Sequence, residues 1–137
     1  RPRRPALPGM TPMTSPTSSR DLAIAAARAA DDKGATEILV LDVGDVLGIC
    51  GYFVIASASN TRLVKAVVDE VEEQLADRFD EKPRSVEGAT DRRWVLLDYA
   101  DIVVHVFHDE EREYYRIERL YSDAEQVEWR PGTTATT

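Results

Sequence analysis

Chemistry in this chain would have to come from its carboxylates, its two histidines or its single cysteine. Asp42 and Asp45 form a D-x-x-D after an apolar run, and Asp98 and Asp101 form a second one. Two-metal phosphoryl and nucleotidyl transfer needs carboxylates that converge on ions about 4 Å apart, commonly as D-x-D on one strand face. Neither pair has that spacing, and no glycine-rich phosphate loop precedes a helix. Each Asp reads more simply as a turn or cap residue. His105 and His108 make an H-x-x-H, but an offset of three places the rings on opposite faces of a strand. A joint metal site would need His108 already on the turn into the next element, with Asp109 and Glu111 nearby. His105 is instead expected to be hydrogen-bonded within or beside a sheet. Cys50 lies between Ile49 and Gly51 with no histidine close in sequence, so a packed thiol is favoured over a nucleophile. One cysteine excludes an intrachain disulfide and fits a reducing compartment. Ser57, Ser59, Asn60 and Thr61 could offer backbone N–H groups to an anion, with Arg62 and Lys65 beside them, but ordinary helix caps are the favoured reading. The residues therefore point to no catalytic, cofactor or metal site.

The elements that must position these groups alternate along the chain. Ser19 is an expected N-cap for an Ala-rich helix through about Lys33, stopped by Gly34. Glu37–Val43 and Tyr52–Ser57 have the β-branched character of strands buried on both faces. After Asn60 or Ser59 comes the clearest helix, with Leu63, Val64, Val67, Val68, Val71 and Leu75 on one face. Asp69, Glu70, Glu72 and Glu73 lie around the other side. Pro83–Glu87 reads as a short edge strand ended by Gly88. Arg93–Asp98 and Asp101–Phe107 form a hairpin, followed by a helix from Glu110 to about Tyr121 capped by Asp109. This order predicts an α/β fold: one domain, with a mixed sheet of about five strands flanked by helices.

The 137 residues are 43% hydrophobic and 31% charged, as in an ordinary globular domain with a single core. No apolar run approaches the roughly 20 residues of a membrane span. Residues 1–19 contain five prolines among Ser, Thr and Arg and are expected to be a disordered tail; those prolines forbid the helix of a transit peptide. Met10 and Met13 are candidate starts, with residues 1–9 an extension. Residues 20–122 are the expected folded domain, and 123–137 a flexible C-terminal tail. The first twenty residues hold four arginines and no acid, so the remainder carries 13 basic against 25 acidic residues, a net −12. That sign disfavours direct nucleic-acid binding as the main interaction and suits a basic protein partner.

Within the hairpin, Trp94, Leu96 and Asp98 share one face, and Val95, Leu97 and Tyr99 the other. Ile102, Val104 and Val106 alternate with Val103, His105 and Phe107 on the next strand. Both faces are largely apolar, so either helices cover both or one docks a partner.

Several stretches, taken in order, resemble the ribosomal silencing factors, the Iojap-related family. They are LVLDV at Leu39–Val43, YFVIAS at Tyr52–Ser57, NTRLVKA at Asn60–Ala66 and VEG at Val86–Gly88, then the Trp94–His105 hairpin and ERLY at Glu118–Tyr121. The likeness spans about Asp21–Tyr121. It implies a nucleotidyl-transferase-like topology without the catalytic carboxylates and a role that is not enzymatic. It further implies binding to the large ribosomal subunit through its basic protein fourteen, blocked subunit joining and repressed translation under nutrient limitation. Cytoplasmic location and a homodimer off the ribosome accompany that reading. Carried over by position, Trp94, Leu96, Asp98, Tyr99, Asp101 and His105 are the interface or interface-supporting residues. The chain departs from the family pattern at Cys50-Gly51, where many relatives have Thr-Asp. It departs also at Ala58 and Ala100, where many have Gly, and at Tyr121, where many have Trp. Two alternatives stay open at this level: a nucleotide- or metal-dependent enzyme of the same fold, and a large-subunit assembly factor.

Overall fold

A computed structural model describes residues 18–44 and 51–130. The readings placed on Cys50, Asp45, Met10 and Met13 lie outside those residues.

Helix α1 spans Ser19–Asp32. Ser18 caps it, one residue before the expected cap: its backbone is extended and its Oγ accepts the Asp21 N–H at 3.1 Å. Lys33 closes the helix, and Gly34, at φ +93°, turns the chain out of it. The buried face of α1 is Leu22 and six alanines, short side chains that let the helix lie close to the sheet. Helix α2 spans Thr61–Phe79 and is capped by Asn60, whose Oδ1 accepts the Leu63 N–H at 2.8 Å. It buries Val64, Val67, Val68, Val71 and Leu75, the face that the three-four spacing predicts.

The strands are β1 (Thr36–Asp42), β2 (Tyr52–Ala58), β3 (Ser85–Glu87), β4 (Trp94–Asp98), β5 (Ile102–His108) and β6 (Glu125–Gln126). They form one sheet in the order β3-β4-β5-β2-β1-β6, with β2 and β5 parallel and every other pair antiparallel. The fold is therefore α/β with a mixed sheet, as expected, but of six strands rather than about five. The added strand lies in the stretch expected to be a flexible tail from residue 123. Glu125 and Gln126 pair with Asp42 and Leu41, and Val127 and Trp129 beyond them are buried. Two apolar residues among acids gave no strand pattern, and their partners lie about ninety positions away.

Strand alternation divides the side chains between two faces. Val40, Val54, Ala56, Val95, Leu97, Ile102, Val104 and Val106 point toward α1 and α2 and form the main core. Leu41, Phe53, Ile55, Trp94, Val103 and Phe107 point the other way. The second face is covered by helix α3, Asp109–Tyr115, and a 3-10 turn, Ile117–Tyr121. Here the structure corrects the expectation of a single helix to Tyr121 with Asp109 as cap. His108 is the N-cap, its Nδ1 accepting the Glu110 N–H at 3.0 Å, and Arg116 breaks the helix at φ +41°. Glu113 and Glu118 both hold the Arg116 guanidinium and so fix this left-handed residue. Gly88 has a specific cause. At φ +83° a Cβ there would lie 2.0 Å from the Trp94 carbonyl oxygen, so only glycine lets the β3–β4 connection close.

Candidate docking face of the sheet

The six residues carried over by position do not form one surface. Trp94, Leu96, Asp98 and His105 lie on the α3 side of the sheet, where Trp94 faces Phe107 and Leu96 faces His105 across β4 and β5. Tyr99 belongs to the helical core and is 6% exposed. Its phenol is pushed well above its ordinary value, first by burial and then by Glu72 and Glu81, and its hydroxyl has no hydrogen-bond partner among the described residues. Asp101 is exposed on the hairpin turn, where its carbonyl accepts the Gly51 and Tyr52 N–H groups at 2.8 and 3.3 Å.

The carboxylates behave as turn residues. Asp98 accepts the Ala100 N–H at 2.8 Å and pairs with Arg84 at 3.3 Å. It thereby holds Ala100 at φ +76°, a left-handed conformation that strains any residue with a Cβ. Asp42 accepts the Gly44 N–H at 3.2 Å. Asn60 is a cap, the favoured reading of that turn, while Ser57 is not: its buried Oγ accepts from Arg112 at 2.6 Å.

His105 is 5% exposed, and its Nδ1 accepts the Trp94 indole N–H at 3.1 Å. Burial lowers its pKa to about 4, so the ring is neutral at pH 7. Because Nδ1 accepts, the proton sits on Nε2, which has no partner among the described residues. Its imidazole therefore orients the indole and fills space; it is not a surface group. Trp94 in turn stacks on Phe107 at 4.7 Å between centroids and meets Tyr115 at 5.0 Å. Tyr115 contacts Tyr114 edge-on at 4.8 Å. The rings thus run outward from sealed Phe107 through half-buried Trp94 to Tyr115, 48% exposed, and Tyr114, 79% exposed. Leu120, on the adjacent 3-10 turn, is 73% exposed.

Tyr114, Tyr115 and Leu120 were not singled out in the sequence, where this stretch reads as one helix from Glu110 to about Tyr121. Their one available signal was the pair of adjacent tyrosines, since neighbouring helical residues cannot share a buried face. The scaffold beneath them is polar and rigid. Arg112, 3% exposed, donates to Glu118 at 3.1 Å as well as to Ser57, tying α3 and the 3-10 turn to β2. Burial works to raise the Glu118 pKa, but a backbone hydrogen bond and Arg112 outweigh it, and the net shift is downward. Arg93 bridges Glu110 and Glu111, each at 2.9 Å, and those hydrogen bonds raise its pKa. His108, Glu110 and Glu111 are the one cluster of three metal-type donors among the described residues. The Arg93 guanidinium already occupies its carboxylates, and His108 Nδ1 is used by the helix cap.

Taken together, the described residues form a small α/β domain with a closed core on one side of its sheet and, on the other, an exposed aromatic step edged by carboxylates. No described helix is long and apolar enough to cross a membrane. Comparison with known proteins names the family. The model for "ribosomal silencing factor during starvation" matches residues 16–137. The chain is 44% identical over 99 residues to the ribosomal silencing factor RsfS of Bacillus subtilis, covering 72% of this chain and 83% of that protein. A crystal structure from Chromobacterium violaceum superposes with a TM-score of 0.73 at 28% identity, covering 77% of this chain and 87% of that one. Another from Bacillus halodurans gives 0.68 at 33% identity, covering 80% and 98%. The chain belongs to the ribosomal silencing factor (Iojap) family, and its role is the non-catalytic regulation of translation. The matched range includes Trp129, which lay beyond the likeness visible in the sequence.

Proposed function

We propose that this protein docks on the large ribosomal subunit through protein fourteen and blocks subunit joining by steric exclusion, so that translation is damped when nutrients are short. The observation that carries the reading is the exposed set Tyr114, Tyr115 and Leu120 beyond Trp94; among the described residues the only other exposed large hydrophobic side chain is Val86. Aromatic anchors beside a solvated rim are the usual energetic centre of a protein interface. The rim carries Glu110, Glu113 and Asp109, exposed acids that suit a basic partner. On this reading Trp94, Leu96, Asp98 and Asp101 touch the partner or flank it, whereas Tyr99 and His105 support the interface from inside. Cytoplasmic location and a homodimer off the ribosome belong to the same proposal. So does a nucleotidyl-transferase-like topology without the catalytic site, which draws support only from the mixed sheet flanked by helices.

Exclusion needs affinity and volume, not turnover. Purified large subunits should co-sediment with the protein, and small subunits added afterwards should join fewer of them. Unchanged joining at saturating protein would contradict the proposal.

A further inference from the structure

Residues three and four apart on a helix share a face, and on α2 that rule gathers Asp69, Glu72, Glu73 and Ala76. With Lys82 and Pro83 from the segment after the helix, they line an open cleft of about 440 Å³. It lies on the helical side of the sheet, away from the aromatic step. Asp69 holds Lys65 at 2.6 Å, but both side chains are about half exposed, and such a pair contributes little. Glu72 and Glu73 have no ion pair among the described residues, and Lys82 pairs with none of the three carboxylates. Burial first, and Asp69 second, raise the Glu72 pKa, with Lys65 offsetting only part of the shift. A second, independent feature lies behind these acids. Tyr99 is more than nine-tenths buried, and its hydroxyl has no hydrogen-bond partner among the described residues. The carboxylates close enough to act on that phenol come one from each wall: Glu72 from α2, and Glu81 beside Lys82 and Pro83. The hydroxyl is thus aimed between the two walls, at the floor of the cleft. A buried polar group left unpaired calls for an occupant.

The arrangement of charge selects the ligand. A metal ion would need the carboxylates to converge, and these are not among the described donors that gather in threes within 4.8 Å. One lysine or arginine side chain would answer a single charge and leave the others. Asp69 and Glu73 stand about one turn apart, roughly 6 Å along the helix axis. Ammonium groups joined by a short aliphatic chain match such a row, and their methylenes can lie on Ala76 and Pro83. We propose that this cleft binds a linear aliphatic polyamine, with Asp69, Glu72 and Glu73 holding its ammonium groups and the Tyr99 hydroxyl accepting from one of them. The site shares no surface with the aromatic step, so it stands or falls independently of the docking proposed above.

The test is a titration of the full chain with spermidine at near-physiological salt, followed by backbone amide NMR shifts. Magnesium at matched ionic strength serves as the counterion control. Spermidine should saturate one site, with shifts concentrated in residues 69–84 and 98–101, and magnesium should not reproduce them. Glu72→Gln should weaken binding about tenfold, the scale of a lost charge-assisted hydrogen bond. Tyr99→Phe keeps the ring and its packing and should weaken binding about threefold or more, the scale of a lost neutral one. Asp123→Asn removes an equal charge from an exposed position elsewhere and should change the affinity far less. Shifts that never saturate, or that spread over the acidic surface, would overturn the proposal. So would an equal response to magnesium, a Glu72→Gln loss no larger than that of Asp123→Asn, or undiminished binding by Tyr99→Phe.

Discussion

On the helical side of the sheet, Val54, Leu97, Val104 and Val106 are sealed under α1 and α2. On the other side, the side chains of β4 and β5 step from sealed Phe107 through Trp94 to Tyr115 and Tyr114 in solvent. Both faces alternate in the same way and are built from the same two strands. They differ in what covers them: two long helices with alanine and valine faces, against one seven-residue helix broken at Arg116. The first face stabilises the domain, and the second is left with large side chains that the chain does not cover for itself. Apolar patterning alone cannot distinguish a finished face from an unfinished one; the length and breaks of the covering element do.

Substitutions that separate stability from binding would sharpen or break this contrast. The largest stability effect is expected at Leu97→Ala, where a fully buried side chain faces the helices. It should cost about 2–5 kcal/mol in denaturant unfolding. A much smaller loss would mean that the helical face is not the stabilising one.

Next is the pH response of His105. Its folded pKa of about 4 lies below the ordinary 6.5, so the unfolded chain takes up a proton that the folded chain refuses. Stability is full above about pH 6.5 and falls as pH drops toward about 4, by roughly 3 kcal/mol in all. His105→Gln should flatten that slope relative to the parent chain, leaving the carboxylate titrations common to both. An unaltered slope would show that the ring is not buried beneath Trp94.

Ala100→Gly should stabilise the hairpin by about 1 kcal/mol, since it relieves a left-handed alanine. A thermal shift downward would contradict the turn geometry. Smallest of all, Tyr114→Ala and Leu120→Ala should leave stability within about 0.5 kcal/mol, as for surface changes generally.

Much of the frame was legible in the residues. The valine spacing of α2 and the Asn60 cap placed that helix, and the alternation of the hairpin correctly separated Trp94 from Leu97. Less legible were features set by distant or conformational causes. Nothing about an arginine signals a left-handed residue, so the break at Arg116 was invisible without the Glu113 and Glu118 carboxylates that hold it. Val127 and Trp129 looked like tail because their partners are Val40 and Ile38. The candidate site was half legible. Positions carried over from a resemblance mixed both faces of the sheet, which placed core Tyr99 beside surface Asp101. Strand parity already set Tyr99 apart, whereas Tyr114, Tyr115 and Leu120 needed the observed exposure to be found.

The most direct test of the docking face is the affinity of purified large subunits for the parent chain and for the double variant Tyr115→Ala, Leu120→Ala. Both should unfold at nearly the same denaturant concentration. The variant should bind at least about tenfold more weakly, the scale of one interface hot spot. Binding as tight as that of the parent chain would move the interface elsewhere and leave the aromatic step without its assigned role.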